Sequence, residues 1–191
     1  VTAQLDFRGE GTMMFGIGVD ADLRDAANNI VQVGQGGIGL GVRDYYVNDD
    51  DQTKKIREAY KAYMKKLFQM VGNDEATAQK KMEAVMAIET RIAKASYSQV
   101  ELRDIDKNYH KMTYNQLVTD YPGIDWGNVF LASGFPAFKE ICVGQPEPIH
   151  EVEKVLAETS LDDLKTYAEI KVIAGATSVL SDDFRAVSFE L

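Results

Sequence analysis

Two consecutive segments carry apolar residues at the spacing of an α-helix, and this feature constrains the fold most. The first, NDDDQTKKIREAYKAYMKKLFQMVG, begins with an acidic cluster that can cap a helix N-terminus, and it ends at Gly72. The second, NDEATAQKKMEAVMAIETRIAKASY, repeats the design. Because the link between them is short, we predict two long antiparallel helices. Their predicted buried residues are Ile56, Tyr60, Tyr63, Met64, Leu67, Phe68 and Val71, then Ala78, Met82, Val85, Met86, Ile92 and Ala93.

The N-terminal quarter of the chain has a different amino-acid composition. Residues 1–47 hold nine of the fifteen glycines, and MMFGIGVDADL and NNIVQVG are β-prone. We predict an antiparallel hairpin with strands near 12–20 and 28–34, joined by DLRDAANN as a turn region. The predicted organisation is a β-hairpin and glycine-rich segment over 1–48, then a helical domain over 49–191. The fold class is mainly α: an antiparallel helical array with a small N-terminal β-hairpin.

Short elements follow the two long helices. ELRDIDKNYHK is predicted to be a loop, and Thr113 and Gln116 form a capping-box pattern that starts a helix ending near DYPG. Asp125 is predicted to cap another short turn, DWGNVFLAS, which Gly134 stops. FKEICVG is predicted to be a short extended piece, which QPEP breaks before the helix that carries HEVEK.

The last third is predicted to be helical. Ser160 and Asp163 have capping-box spacing at the start of SLDDLKTYAEIKVIAGATSVL. The apolar residues of this segment run nearly all round the helix, so we predict it to be the most buried one. Ser181 could cap a final helix. The chain starts at VTAQLDF without a methionine and stops at VSFEL, so both ends are expected to be cuts within a longer protein.

Charge and composition limit the possible partners. The net charge of −9 and the pI of about 4.8 argue against a nucleic acid or an anionic membrane surface, since both attract positive charge. No run of about 18 apolar residues is present, so no membrane span is predicted. The single cysteine, Cys142, cannot form an internal disulfide or a thiolate cluster, and its apolar neighbours predict a buried thiol.

The segment HEVEK differs by one residue from the zinc-peptidase pattern H-E-x-x-H. On a helical wheel, His150 and Lys154 fall on the side opposite the apolar residues and face water. Lys154 stands where the second ligand would be, and removing its proton at pH 7 costs about 4–5 kcal/mol. The other histidine, His110, lies in a loop-like stretch. We interpret HEVEK as a solvent-exposed helix face whose opposite side is formed by Ile149, Val152, Val155 and Leu156.

The segment GQGGIG, Gly34 to Gly39, matches the dinucleotide pattern G-x-G-x-x-G. That fingerprint requires a helix to begin inside the glycine loop, but here LGVRDYYVND intervenes. The acidic residue expected about twenty residues later is replaced by Ala59. We therefore predict a glycine-rich turn that packs closely against the helices.

Two Arg-Asp pairs lie in predicted loops: Arg43 with Asp44, and Arg103 with Asp104. Either pair could belong to a functional charge cluster, but we favour a structural role in tying a loop to a neighbouring helix. Trp126 and most of the seven methionines are predicted to lie in the core. Two histidines are too few to build a Ser-His-Asp set.

The order of several segments resembles the N-terminal region of the neprilysin and endothelin-converting-enzyme family of zinc metallopeptidases. FGIGVDADLRDAANNIVQVGQGGIGLGVRDYYVND is similar to the family's hairpin, glycine-rich turn and Arg-Asp-Tyr-Tyr. AIETRIAKASYSQVELRDIDKNYHKMTYNQL, DWGNVF, and SLDDLKTYAEIKVI with LSDDF are similar to three later landmarks, in the right order. Gly41 departs from the family, which more often has proline there; this concerns only the local turn.

The resemblance implies a largely helical region that helps to enclose the active-site cavity of an oligopeptide-cleaving zinc endopeptidase. In that family the zinc ligands and the general base lie downstream, so no catalytic residue and no metal ligand is assigned here, and the substrate-binding residues are unknown. No cofactor is expected in this chain, and zinc is expected in the full-length parent. The expected partners are the C-terminal catalytic half of the same polypeptide and, in the parent, peptide substrates.

Two further expectations follow from the resemblance. Animal members carry several disulfides and this chain has none, which implies a bacterial-type member. Family members act outside the cytoplasm, so the parent is expected to be exported: periplasmic, surface-anchored or extracellular. The alternative interpretation is a stand-alone helical protein-interaction module without enzymatic activity; an NAD-type nucleotide-binding enzyme is a more distant one.

Overall fold

The structure, a computed structural model, describes residues 2–9, 11 and 13–189. Val1, Glu190 and Leu191, at the expected cuts, and Thr12, the first residue of the predicted first strand, lie outside that part. The helices are α1 (Thr2–Phe7), α2 (Asp44–Val47), α3 (Asp51–Met70), α4 (Glu75–Ala95), α5 (Tyr114–Asp120), α6 (Trp126–Ala132), α7 (Pro146–Glu158), α8 (Leu161–Ala176) and α9 (Asp182–Phe189). The strands are β1 (Phe15–Asp22), β2 (Asp25–Gln35), β3 (His110–Thr113) and β4 (Glu140–Val143).

The fold is mainly α, as predicted, and the predicted hairpin is part of a larger sheet. The strands lie in the order β1-β2-β4-β3, with β2 antiparallel to β1 and parallel to β4. Val33 of β2 lies between Ile17 of β1 and Val143 of β4, and it is buried. The turn prediction was too long: β2 already begins at Asp25. The strand pairing reaches almost to the tip of the hairpin because an irregularity at Ala21/Asp22 absorbs the extra residues.

Helices α3 and α4 form the predicted antiparallel pair. Asp50 caps α3 by accepting a hydrogen bond from the Thr53 amide at 2.9 Å, and Asp74 caps α4 through the Thr77 amide at 2.7 Å. Every residue predicted for the α4 stripe is buried. In the α3 stripe the prediction is confirmed for Tyr60, Met64, Leu67 and Phe68, whereas Ile56 and Tyr63 are half-buried. The prediction is wrong for Val71, which is 44% exposed because it follows the last helical turn.

The C-terminal helices differ from the predictions in two respects. The extended piece β4 ends at Val143, before QPEP, as predicted, but Pro146 is already in the first turn of α7, where its missing N–H costs no hydrogen bond. Helix α8 is not the most buried helix: Leu161 is 65% exposed, and α8 buries only Thr166, Tyr167, Ile170 and Ile173. Helix α4 buries more of its residues because α3, α7 and α8 all pack against it.

The shorter helices begin and end where the sequence indicates. Thr113 and Gln116 form the predicted reciprocal capping box at α5. Asp125 accepts from the Asn128 amide at 3.1 Å, and Gly134 follows α6 with a positive φ of 72°. Helices α1 and α2 are additional elements, as is strand β3, which begins at the end of the predicted loop. Among the described residues, no helix combines the length and apolarity that a membrane crossing requires.

Candidate functional site

The most concentrated polar feature of the interior is centred on Glu89, a side chain with no solvent exposure in the middle of α4. The Tyr46 hydroxyl donates to Glu89 Oε2 at 2.6 Å, and the Tyr60 hydroxyl donates to Oε1 at 3.1 Å. Lys171 on α8 forms an ion pair with Oε1. Both carboxylate oxygens therefore have partners, so α2, α3 and α8 are tied to α4 at one point.

The environment of this cluster keeps its tyrosines protonated. Burial, reinforced by the negative charge of Glu89, raises the pKa of Tyr46 and of Tyr60 far above the usual value. The Tyr46 hydroxyl also accepts a hydrogen bond from the Leu40 amide at 3.0 Å, which ties the glycine-rich segment to the cluster. Because Glu89 is closed off from water and both of its oxygens have partners, the cluster acts as a structural joint.

The glycine-rich segment packs tightly on this joint, as predicted. A Cβ atom on Gly39 would lie 1.9 Å from the Tyr60 hydroxyl, and one on Gly37 would lie 2.6 Å from the Cα of Met14. The Tyr167 hydroxyl donates to the Gly37 carbonyl at 2.6 Å. The chain continues from this turn into α2 and α3 rather than starting a helix inside it, so the requirement of the dinucleotide fingerprint is not met.

A surface cavity of about 580 Å³ lies beside the same turn. Tyr60 and Lys171 reach its wall, and much of the rest is glycine backbone. Lys171 is already paired with Glu89, and Asp6 is the other charged residue in the lining of this cavity.

HEVEK lies on α7 with the orientation predicted for its two polar residues. His150 and Lys154 are exposed, whereas Ile149, Val152 and Val155 are buried. Leu156 was placed on the buried side but is 38% exposed. The His150 ring stacks on Tyr121 with centroids 4.5 Å apart, and its Nδ1 lies 2.9 Å from Glu153.

The donor atoms of the described residues do not fit zinc. No three His, Cys, Asp or Glu side chains in that part of the chain lie close enough to hold a metal ion. His110 Nδ1 lies 3.0 Å from the Val143 carbonyl within the sheet, far from His150 in the chain. Cys142 is buried in β4, and burial raises the pKa of its thiol, as expected for an unreactive cysteine.

The loops that carry the two Arg-Asp pairs meet in the structure. Arg43 reaches Glu101, with Nη1 3.8 Å from Oε2, and Glu101 lies just before the second pair. Asp104 accepts from the Lys107 amide at 3.2 Å and thus shapes its own turn, while Arg103 is exposed. These contacts fit the favoured structural role of linking a loop to its neighbour.

Sequence reasoning missed the most important polar residue, Glu89. The signal was present, because Val85, Glu89 and Ile92 follow helical spacing on the buried side of α4. An acid at such a position needs a partner, and that partner, Lys171, lies 82 residues away in the chain. Trp126 is the predicted core anchor, with its indole N–H donating to the Tyr121 carbonyl at 2.9 Å.

Comparison with known proteins gives a consistent assignment. Endothelin-converting enzyme 1 of Rattus norvegicus is 30% identical over 176 residues, which cover 90% of this chain and 23% of that enzyme. The endothelin-converting enzyme homolog of Locusta migratoria is also 30% identical, over 90% of this chain and 25% of its own length. The chain thus spans about a quarter of the length of these relatives.

Solved structures agree with this alignment. The Mycobacterium tuberculosis zinc metalloprotease Zmp1 in complex with an inhibitor superimposes with a TM-score of 0.92 at 30% identity, over 98% of this chain and 29% of Zmp1. PepO of Lactobacillus rhamnosis shares the fold, with a TM-score of 0.79 at 18% identity. The family model for the N-terminal region of peptidase family M13 matches residues 1–191. The chain therefore belongs to peptidase family M13 and corresponds to its N-terminal domain.

Proposed function

We propose that this chain is a non-catalytic, cavity-enclosing part of a zinc metalloendopeptidase that cleaves oligopeptides. The observation that carries the proposal is the match of residues 1–191 to the N-terminal domain of peptidase family M13. Zmp1, which is a zinc metalloprotease, supports it through a shared fold over 98% of this chain. The chain provides walls, and the chemistry belongs to another part of the parent polypeptide.

The packing supports a role as a rigid wall. The α3–α4 pair is fixed to α8 through Glu89 and Lys171, and to α7 through Arg91, which contacts Glu151 at 2.8 Å. Since the buried joint cannot rearrange without leaving a charge unpaired, these helices keep their relative positions. A cavity wall that restricts substrates by size needs such stiffness.

The proposed partner is the catalytic part of the same polypeptide. Several large apolar side chains are exposed at separate places on the surface, and they could contact that part: Phe7, Val100, Leu131 and Val179. Zinc would be held there, where it polarises a peptide carbonyl and activates water. A bacterial-type parent located outside the cytoplasm also remains part of the proposal.

Size selection tests the enclosing role. The parent polypeptide and a version that lacks residues 1–191 would be given the same cleavable sequence in a short peptide, in a long unfolded peptide and in a loop of a folded protein. We expect the parent to cleave the short peptide and to spare the folded protein. If removal of the domain leaves a folded, zinc-loaded enzyme with unchanged size preference, the enclosing role is wrong.

The expected change in the shortened enzyme is a relative gain on large substrates. Total activity could fall because the remaining part loses contacts, so the ratio of rates on the long and short substrates is the relevant quantity. Bound zinc, measured in both proteins, separates loss of the catalytic centre from loss of the enclosure.

A further inference from the structure

Strand β1 (Phe15–Asp22) forms one edge of the sheet, and its outer side meets no other strand among residues 2–9, 11 and 13–189. Gly16 and Val19 are exposed on this strand, and a Cβ on Gly18 would meet no atom within 4 Å. The outer edge of β1 is therefore accessible to a partner strand.

Hydrogen bonds in the neighbouring strand show which backbone groups face outward. The Val33 carbonyl of β2 accepts from the Gly144 amide at 2.8 Å, so the polar backbone groups of Val33 point toward β4. Val33 lies opposite Ile17. In an antiparallel pair, two opposite residues exchange both of their hydrogen bonds or neither. Ile17 therefore turns its N–H and C=O away from β2.

The same alternation applies to Val19, which is two residues further and lies opposite Val31. The Gln35 amide bonds to the Gln145 side chain at 2.8 Å, which confirms that odd-numbered residues of β2 turn away from β1. Within the described part of the chain, the N–H and C=O groups of Ile17 and Val19 have no hydrogen-bond partner.

Between Phe15 and Val19 the edge also lacks the features that usually prevent strand addition, because the buried Asp22 and the irregularity at Ala21/Asp22 lie beyond this stretch. Natural edge strands are protected by proline, by lysine or by an inward-pointing charge. The sequence of β1, FGIGVDAD, has neither proline nor lysine before its acidic end, and its two glycines offer no side chain as a barrier. An extended backbone can therefore approach Ile17 and Val19 at hydrogen-bonding distance.

A cavity of about 390 Å³ is lined by residues of all four strands, and Val19 of β1 is one of them. Its apolar lining is Val19, Ile30, Val31, Phe135, Pro136 and Phe138, and its polar lining is Asp22, Asp25, Asn28, Asn29, Lys111, Lys139 and Glu140. A strand added beside β1 places a side chain next to Val19, so an apolar side chain of the partner can enter this space. Backbone pairing combined with a side-chain pocket is the recognition mode of strand-adding peptide-binding domains.

We propose that the outer edge of β1 binds an extended peptide by strand addition, with an apolar peptide side chain in the cavity beside Val19. The choice of a peptide rests on the proposed function, in which the parent handles oligopeptides. The net charge of −9 and the exposed Asp20 favour a neutral or basic peptide. They disfavour a second copy of this chain, because two such molecules repel each other.

The test is a titration of the 191-residue chain with a short peptide of alternating valine and threonine that carries an arginine at each end. Binding is followed by the NMR shifts of backbone amides, and we expect saturable shifts at Ile17 and Val19. The variant Val19→Pro removes an outward N–H without removing a bond to β2, and it should weaken binding at least about tenfold. The matched variant Val19→Thr keeps the N–H and the shape, and it should bind within about threefold of the original chain.

A modified peptide keeps the test decisive if Val19→Pro fails to fold. N-methylation at alternate residues along one edge of the peptide removes the donors that would face β1, while methylation along the other edge leaves them in place. We expect only the first peptide to lose binding. Equal binding of the two methylated peptides, or no saturable binding of the unmethylated peptide, would overturn the proposal.

Self-association is the remaining outcome that would overturn it. If the chain forms a dimer that Val19→Pro abolishes, the edge belongs to a second copy and not to a peptide. None of these results bears on size selection by the parent, so failure of the docking site is distinguishable from failure of the enclosing role.

Discussion

At the scale of single residues, the structure depends most on one buried acid. Glu89 has no contact with water, and its two oxygens are shared among Tyr46, Tyr60 and Lys171. An ion pair in such a place contributes little net stability by itself, but removing one partner leaves a buried charge without compensation. The cluster therefore selects one arrangement of helices rather than adding greatly to stability.

Replacing Glu89 tests this description. The substitution Glu89→Gln leaves the Lys171 ammonium without a counter-charge, and we expect a loss of about 3 kcal/mol or more in the free energy of unfolding. Urea denaturation monitored by circular dichroism measures the loss. Glu83→Gln, at an exposed position of the same helix, is the control and should change stability by less than about 0.5 kcal/mol.

The double variant Glu89→Gln/Lys171→Met separates charge from packing. Removing both charges should recover at least about 1 kcal/mol of the loss caused by Glu89→Gln alone. A double variant that is no more stable than the single one would show that the ion pair is not the source of the effect.

His150 should behave as a surface residue. Its side chain is half exposed and stacks on Tyr121, so His150→Ala should cost less than about 1 kcal/mol in the free energy of unfolding. Thermal unfolding with and without added zinc measures the stability effect of His150→Ala and shows whether His150 binds zinc. A large loss, or a rise in melting temperature with zinc that His150→Ala removes, would contradict the interpretation of HEVEK as an exposed helix face.

At the scale of elements, the tip of the hairpin is held by one carboxylate. Asp22 accepts from the Arg24 amide at 3.0 Å, from the Tyr109 hydroxyl at 2.8 Å and from Lys111 at 3.1 Å. These contacts, with the Arg24 amide as the largest contribution, lower the pKa of Asp22 to about 2. The hairpin is thereby tied to the start of β3, far along the chain.

The lowered pKa of Asp22 sets the pH range in which these contacts stabilise the protein. A carboxyl with a lowered pKa in the folded state stabilises the protein above its unfolded pKa, near 3.8, and that stability is lost as the pH falls toward 2. We expect Asp22→Asn to be less stable than the original chain at pH 7, with a difference that shrinks between about pH 4 and 2. Denaturation at a series of pH values tests this. A difference that stays constant down to pH 2 would contradict it.

The glycine-rich turn allows a matched pair of substitutions. A Cβ at Gly39 would collide with Tyr60, which is itself held by Glu89, whereas a Cβ at Gly18 would meet open space. Gly39→Ala should therefore cost about 1–3 kcal/mol in the free energy of unfolding, and Gly18→Ala should change it little. Similar effects of the two substitutions would mean that the turn is not packed tightly on α3.

The elements with a clear local pattern were predictable from sequence, and the joints between them were not. The α3 and α4 stripes, the caps at Asp125 and Thr113 and the existence of the hairpin follow from spacing and from local hydrogen bonding. Strand β4 has only four residues, so its sequence does not reveal that it pairs with β2 in parallel. The Glu89 partnership was hidden for a similar reason: it joins residues that only the fold brings together.

At the scale of the whole molecule, the chain is one part of an M13 architecture. It matches the family over its entire length and yet spans only 23% of the rat endothelin-converting enzyme. The division into segments 1–48 and 49–191 stays a prediction, and the sheet crosses this boundary because β4 pairs with β2. The hairpin and the helices are thus linked by backbone hydrogen bonds.

The most direct test compares zinc content and peptide hydrolysis in two proteins purified in parallel: the 191-residue chain and the polypeptide that contains it. For the chain alone we predict no stoichiometric zinc and no hydrolysis. For the longer polypeptide we predict about one zinc per molecule and hydrolysis that a chelator abolishes. About one tightly held zinc in the isolated chain, or cleavage of the peptide by it, would contradict the non-catalytic role.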